Sequence, residues 1–195
     1  MNAKEVFLIV TFLATGALLN FGYPLLQQAY AITVGIEFVV IAYCLVVMLV
    51  APLRMTEVLG IGIFAGILNI LSDITHVTAI LRMHVPRSEL LMAVFNLVSE
   101  PVGIICCFLA FSFLAVRIRF AAPFAAAFFA TLVSGLTYLA MVFFSNPHLI
   151  AAQPTYPEVF LYRVVLAAIV NAIVVQVIFM VVEKPVKAYL AGPAE

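Results

Sequence analysis

Charged residues are scarce in this 195-residue chain: nine Lys and Arg and nine Asp and Glu make up 9% of it. Soluble domains carry roughly 25% charged residues, so the composition excludes an ordinary soluble domain. The balance of the two signs also excludes a nucleic-acid binder with a basic footprint. Only three cysteines are present, too few for a small secreted fold held together by disulfides.

Catalytic motifs are absent as well. The sequence contains no H-E-x-x-H, no G-x-S-x-G and no Walker A pattern, so we expect neither an enzyme nor a chain that hydrolyses ATP by itself. The cysteines are Cys44, Cys106 and Cys107, and all three fall in apolar runs, where they are expected to pack as small apolar side chains. We expect no metal site and no cofactor.

Apolar residues dominate the chain, with 67% hydrophobic residues and a mean hydropathy of +1.27. A transmembrane helix needs about 20 apolar residues, and continuous runs favour helices over the alternating strands of a barrel. The sequence therefore predicts an all-α, polytopic membrane bundle of six transmembrane helices forming one domain. The predicted spans are Glu5–Phe21, Thr33–Val50, Met55–Leu71, Glu89–Val116, Ala121–Phe144 and Phe160–Val182. The first run is expected to be a retained span rather than a cleaved signal peptide.

Basic residues are distributed unequally between the two sides of this predicted bundle. Six lie on the side of the termini: Lys4, Arg54, Arg117, Arg119, Lys184 and Lys187. At most three lie on the other side, in the loop with Arg82 and Arg87 and at Arg163 just inside the last span. By the positive-inside rule, both termini are expected in the cytoplasm.

Most strongly polar residues within the spans fall in the outer half of the membrane. Asn96 and Glu100 are four residues apart, and Arg163 is eight before Asn171, so each pair lies on one helix face. Ionisable groups that face lipid are costly, so these faces are expected to meet one another or water. The pattern predicts a cup, open to the outside, for a small polar solute. Other outer polar residues are Glu37, Asn69, Asp73, Thr137 and Tyr138.

A simpler interpretation is that these polar groups only hold helices together, as Asn, Thr and Gln often do in membranes. It fits Asn69 and Asn96 better than Glu37 and Glu100, because a carboxylate inside a span usually marks a site. Gln28, in the first outer loop, is expected either to line the cup or to cover it.

Small residues recur at four-residue spacing on two spans: Gly62 and Gly66 on the third, and Ala122, Ala126 and Ala130 on the fifth. Such faces let a second backbone approach closely. They are expected either to pack inside the bundle or to dock a partner membrane subunit.

The layout, together with two local stretches, resembles the substrate-binding S components of energy-coupling-factor (ECF) transporters. One stretch runs from Ile32-Thr33-Val34-Gly35-Ile36-Glu37-Phe38 to Ala51-Pro52-Leu53-Arg54. The other runs from Arg163 through Asn171-Ala172-Ile173 to Glu183-Lys184-Pro185-Val186-Lys187. The family's first helix often carries an Ala-xxx-Ala face for the coupling subunit, and here Thr11 and Thr15 take that place.

The resemblance implies a multi-pass protein of a prokaryotic plasma membrane that binds a vitamin or similar micronutrient from outside. It implies as partners a transmembrane coupling subunit and two cytoplasmic ATPase subunits, with the lipid bilayer around the chain and no nucleic acid. The residues that it places at the ligand are Glu37, Asn96, Glu100, Tyr138, Arg163 and Asn171. The metal-carrying members begin Met-His, which Met1-Asn2 lacks, so a transition-metal cargo is not expected.

Two other functions stay open from the sequence. A self-sufficient proton-coupled transporter or channel would use Glu37 and Glu100 to carry protons. An intramembrane enzyme or a membrane subunit of a larger complex is the third possibility, although no nucleophile–base pair is evident. Acidic residues of the predicted cup outnumber basic ones, which favours a solute with a cationic group.

Overall fold

A computed structural model describes residues 1–30, 36–50, 52–81, 93–145, 147 and 156–191, and helices account for most of them. In chain order they are α1 (Ala3–Tyr30), α2 (Phe38–Leu49), α3 (Met55–Leu81), α4 (Asn96–Leu114), α5 (Ala122–Ser145) and α6 (Tyr156–Ala191). No strand occurs in those ranges, so the all-α prediction is confirmed for them.

Five of the six helices are long and apolar enough to cross a membrane, which supports a multi-pass membrane protein. The exception is α2, whose 12 residues extend about 18 Å and fall short of the roughly 20 residues that a span needs. Helix α2 begins at Phe38, and Ile36 and Glu37, which fall within the predicted span over 33–50, are not helical. The six-span count and the side on which the termini lie stay predictions.

The short helix α2 is the centre of the bundle and packs against all five other helices. Its residues from Val39 to Leu49 are all buried, with at most 5% of each exposed. A helix that is apolar on every side belongs in a core, because it has no polar face to turn outward. Its Tyr43 hydroxyl lies beside α4, where a Cβ at Gly103 would come within 2.6 Å of it.

The outer helices expose large apolar side chains along their length. Phe7 and Leu18 of α1 are 60% and 73% exposed, and Val181 of α6 is 70% exposed. A soluble protein rarely leaves so much apolar surface in water, so we assign these faces to lipid.

Charged groups gather at one end of the bundle, which we call the basic end and define as residues 1–5, 54–57, 117–120 and 183–189. There Lys4 Nζ donates to the Tyr189 carbonyl oxygen at 3.0 Å, and Arg119 pairs with Glu183 at 3.2 Å. The amino terminus lies 3.5 Å from Glu57 Oε1. The predicted grouping of these basic residues on the side of the termini is therefore seen in the fold.

Two of the three glycines of α3, Gly62 and Gly66, face α4 and let the helices meet closely. A Cβ on Gly62 would lie 2.7 Å from Pro101 Cα, and one on Gly66 would lie 2.6 Å from the Asn96 carbonyl oxygen. Both residues are therefore part of the contact inside the bundle. Of the two roles expected for them, packing inside the bundle is the one that these contacts support, because α4 occupies their face.

The alanines of α5 have the same role. Ala122, Ala126 and Ala130 are at most 1% exposed, so they too pack inside the chain rather than dock a partner. Thr11 and Thr15, by contrast, lie on the exposed side of α1, where a docking role stays a prediction.

Candidate binding cavity

All six helices, or the residues next to their ends, contribute to a cavity of about 410 Å³ away from the basic end. Its polar lining comes from Asn20 of α1, Glu37 before α2, Asn69 of α3, Asn96, Ser99 and Glu100 of α4, Thr131, Ser134 and Tyr138 of α5, and Arg163 of α6. Val40, Leu139 and Val164 are among its apolar residues. A space of this size suits a small molecule, since ligand pockets commonly measure about 300–1,000 Å³.

Glu100 is the most buried charged residue of the wall, with 4% exposed. Asn69 Nδ2 donates to its Oε1 at 2.8 Å, and the Ser134 hydroxyl makes a longer contact to its Oε2 at 3.5 Å. Asn20 Nδ2 in turn donates to Asn69 Oδ1 at 3.3 Å. A buried carboxyl is costly without such partners, so this network across α1, α3, α4 and α5 fixes where Glu100 lies.

A second network sets where α2 begins. The backbone N–H of Glu37 donates to Asn171 Oδ1 of α6 at 3.2 Å, and Asn171 Nδ2 donates to Thr131 Oγ1 at 3.4 Å. The side chain of α6 thus satisfies a donor at the amino end of α2, a place where helices leave N–H groups unpaired. Asn171 is fully buried behind the cavity and does not line it.

Two exposed charged side chains also line the cavity, Glu37 and Arg163. The Glu37 carboxyl is close enough to Glu100 for the two to repel each other when both are ionised. Arg163 makes no ion pair with any residue of the described ranges. It lies two turns before Asn171 on α6, about 12 Å along the axis, which separates it in depth from the Glu37 backbone.

Ser99 is a buried polar residue of the wall whose hydrogen-bonding group is not satisfied by the packing of the described residues. It is 1% exposed, and its hydroxyl finds no hydrogen-bond partner in the part of the chain that the structure describes. A buried hydroxyl without a partner costs free energy, and native proteins contain few of them.

Five predicted site residues line the cavity: Glu37, Asn96, Glu100, Tyr138 and Arg163. Gln28 lies within α1 and Asp73 within α3, but both side chains fall outside the described residues. Five polar lining residues were not predicted as binding residues: Asn20, Asn69, Ser99, Thr131 and Ser134. Their common signal was a polar side chain at one-turn spacing from another, as in Asn96–Ser99 and Thr131–Ser134.

No group of His, Cys, Asp and Glu suited to a metal ion occurs among the residues described. Comparisons with protein families, curated proteins and solved structures return no match to this chain. The function is therefore argued from the cavity.

Proposed function

We propose that this chain is a membrane-embedded binding subunit for a small water-soluble micronutrient and serves an ATP-driven importer of the ECF type. The proposal is supported by an apolar exterior suited to lipid and by a polar cavity within the bundle. It is also consistent with the lack of an ATP-hydrolysis motif, since the energy then comes from partner subunits.

One observation carries the binding role: the charged side chain of Arg163 lines the cavity and has no ion-pair partner among the described residues. The contacts Asn20–Asn69 and Asn171–Thr131 are explained if polar groups only hold helices together. That explanation does not account for Arg163, which is exposed in the cavity and unpaired within the described residues. An ionised group kept inside a membrane protein indicates a site for a polar solute.

Analysis of the solute that copurifies with the chain tests the binding role. The protein is extracted in mild detergent and denatured, and the released small molecules are identified by mass spectrometry. We expect one small molecule near one per chain, at least tenfold reduced in Glu100→Ala. Glu158→Ala changes an exposed acid of α6 outside the cavity and is expected to retain it. Equal amounts in all three preparations would contradict the role of the cavity.

The importer role is tested by copurification of partner subunits. A tagged chain purified from its native membranes is expected to bring ATPase subunits with it. Thr11→Leu and Thr15→Leu add bulk to the exposed face of α1 and are expected to reduce that recovery while the solute stays bound. Recovery of the chain with no ATPase would contradict the importer role and leave the binding role standing.

A self-sufficient proton-coupled transporter is the second candidate, favoured by the carboxyls of Glu37 and Glu100 that interact within one cavity. Uptake into proteoliposomes that contain only this chain distinguishes the transporter from the binding subunit. The transporter would accumulate the copurified solute when a pH gradient is applied. The binding subunit is expected to bind it without accumulation.

A further inference from the structure

Ser99 is a polar group that the packing of the chain does not explain. The residue lines the cavity and is 1% exposed, and its hydroxyl has no hydrogen-bond partner among the described residues. Its neighbours on α4, Asn96 and Glu100, line the same cavity. A group on the solute that hydrogen-bonds to Ser99 would remove the cost of leaving this hydroxyl unpaired.

The charge around Ser99 selects the kind of group. Glu100 follows it directly in α4, and the Glu37 carboxyl is near enough to interact with Glu100. The two contacts to Glu100 leave lone pairs on its oxygens, since a carboxylate has about four acceptor sites. Arg163, a cation of the cavity wall, precedes Asn171 by two turns of α6, about 12 Å along the axis, and Asn171 holds the Glu37 backbone. The described residues around Ser99 are thus rich in carboxyl groups and hydrogen-bond acceptors.

We propose that the part of the cavity formed by Ser99, Glu100 and Glu37 binds the cationic amine end of the solute. Ser99 Oγ accepts a hydrogen bond from the amine, and the two carboxyls balance its charge. Arg163, two turns of α6 before Asn171, faces an acidic group of the same solute, which makes the solute a zwitterion. This inference rests on the proposed binding function and specifies the chemical class of its solute.

The sign of the charge around Ser99 can be measured without knowing the solute. Ser99→Cys places a thiol at the site, and two methanethiosulfonate reagents of similar size report on it, one with a trimethylammonium group and one with a sulfonate. Rates are measured by peptide mass spectrometry in lipid nanodiscs and divided by the rates with a small free thiol. The unsubstituted chain gives the background from Cys44, Cys106 and Cys107. Ser134→Cys, on α5, provides a second reporter in the cavity lining.

We expect the cationic reagent to be favoured by about tenfold or more, because a cleft lined by one sign of charge concentrates the opposite sign by that order. Glu37→Gln should reduce this preference several-fold, and Arg163→Gln should increase it. Glu158→Gln, outside the cavity, should leave it unchanged.

Equal rates or a preference for the sulfonate would overturn the amine assignment while leaving a water-accessible cavity and the binding function in place. Failure of both reagents to modify either reporter in folded protein would show that the cavity is closed to water. That result would overturn the proposed function itself, so the two failures are distinguishable.

Discussion

Ser99 and Ser134 are buried hydroxyls on the wall of one cavity, and they differ in their partners. The Ser134 hydroxyl contacts Glu100 at 3.5 Å, whereas that of Ser99 has no partner among the described residues. Removing an unpaired buried hydroxyl relieves a cost, and removing a paired one leaves its partner short of a donor. We therefore expect Ser99→Ala to raise the free energy of unfolding by about 1 kcal/mol and Ser134→Ala to lower it by about as much.

Thermal unfolding in detergent measures this difference with a thiol-reactive fluorogenic dye, because Cys44 and Cys107 are fully buried and react only on unfolding. Ser99→Ala should also weaken retention of the copurified solute, so it gains stability and loses binding. If Ser99 served only the fold, the substitution would change stability and solute retention in the same direction. A lower unfolding temperature for Ser99→Ala would refute the assignment of Ser99 as a binding group.

At the scale of the element, the amino end of α2 depends on a side chain from α6. Asn171→Leu keeps the volume but removes the acceptor for the Glu37 N–H, and loss of a helix cap costs about 0.5–2 kcal/mol. We expect a lower unfolding temperature and faster hydrogen exchange in the first turn of α2. Thr131→Val is the matched control. It removes the contact to Asn171 Nδ2 at 3.4 Å and the hydrogen bond from the Thr131 hydroxyl to the Ala127 carbonyl oxygen at 3.0 Å, but it leaves the acceptor for the Glu37 N–H in place. Equal exchange in both variants would contradict the capping role.

The contact between α3 and α4 gives a second prediction for an element. Alanine at Gly62 or Gly66 would place its Cβ within 2.7 Å of α4 backbone atoms, and overpacking of this kind costs about 1–3 kcal/mol. Gly60 is two residues before Gly62 in the same helix and has nothing within 4 Å of its Cβ position. We expect Gly60→Ala to be neutral or slightly stabilising, since alanine is the better helix former. Equal unfolding temperatures for all three variants would contradict the close packing of the two helices.

The amino end of α2 and the contact between α3 and α4 also show how much of the fold the sequence predicts. Apolar runs located the helices because their length is set by the bilayer, and four-residue spacing placed Asn96 and Glu100 on one face. The spacing of small residues does not identify the helix that packs against them. From the sequence, Gly62 and Gly66 are therefore as compatible with a contact to a partner subunit as with a contact to α4. The sequence also does not predict the central position of α2, because an apolar run has the same composition whether its helix faces lipid or is surrounded by five other helices. Its start at Phe38 depends on Asn171, a contact 134 residues away.

For the whole molecule, the remaining prediction is its orientation in the membrane. Ile118 lies just before α5 and Ser145 ends it, and the 24 residues of this helix extend about 36 Å, enough to cross the hydrocarbon core. Ile118 stands between Arg117 and Arg119 at the basic end, so the positive-inside rule predicts that it faces the cytoplasm. We expect a membrane-impermeant thiol reagent to modify Ser145→Cys in intact cells and Ile118→Cys only after permeabilisation. The reverse pattern would invert the orientation, and the cavity would then open to the cytoplasm, which is incompatible with capture of a solute from outside.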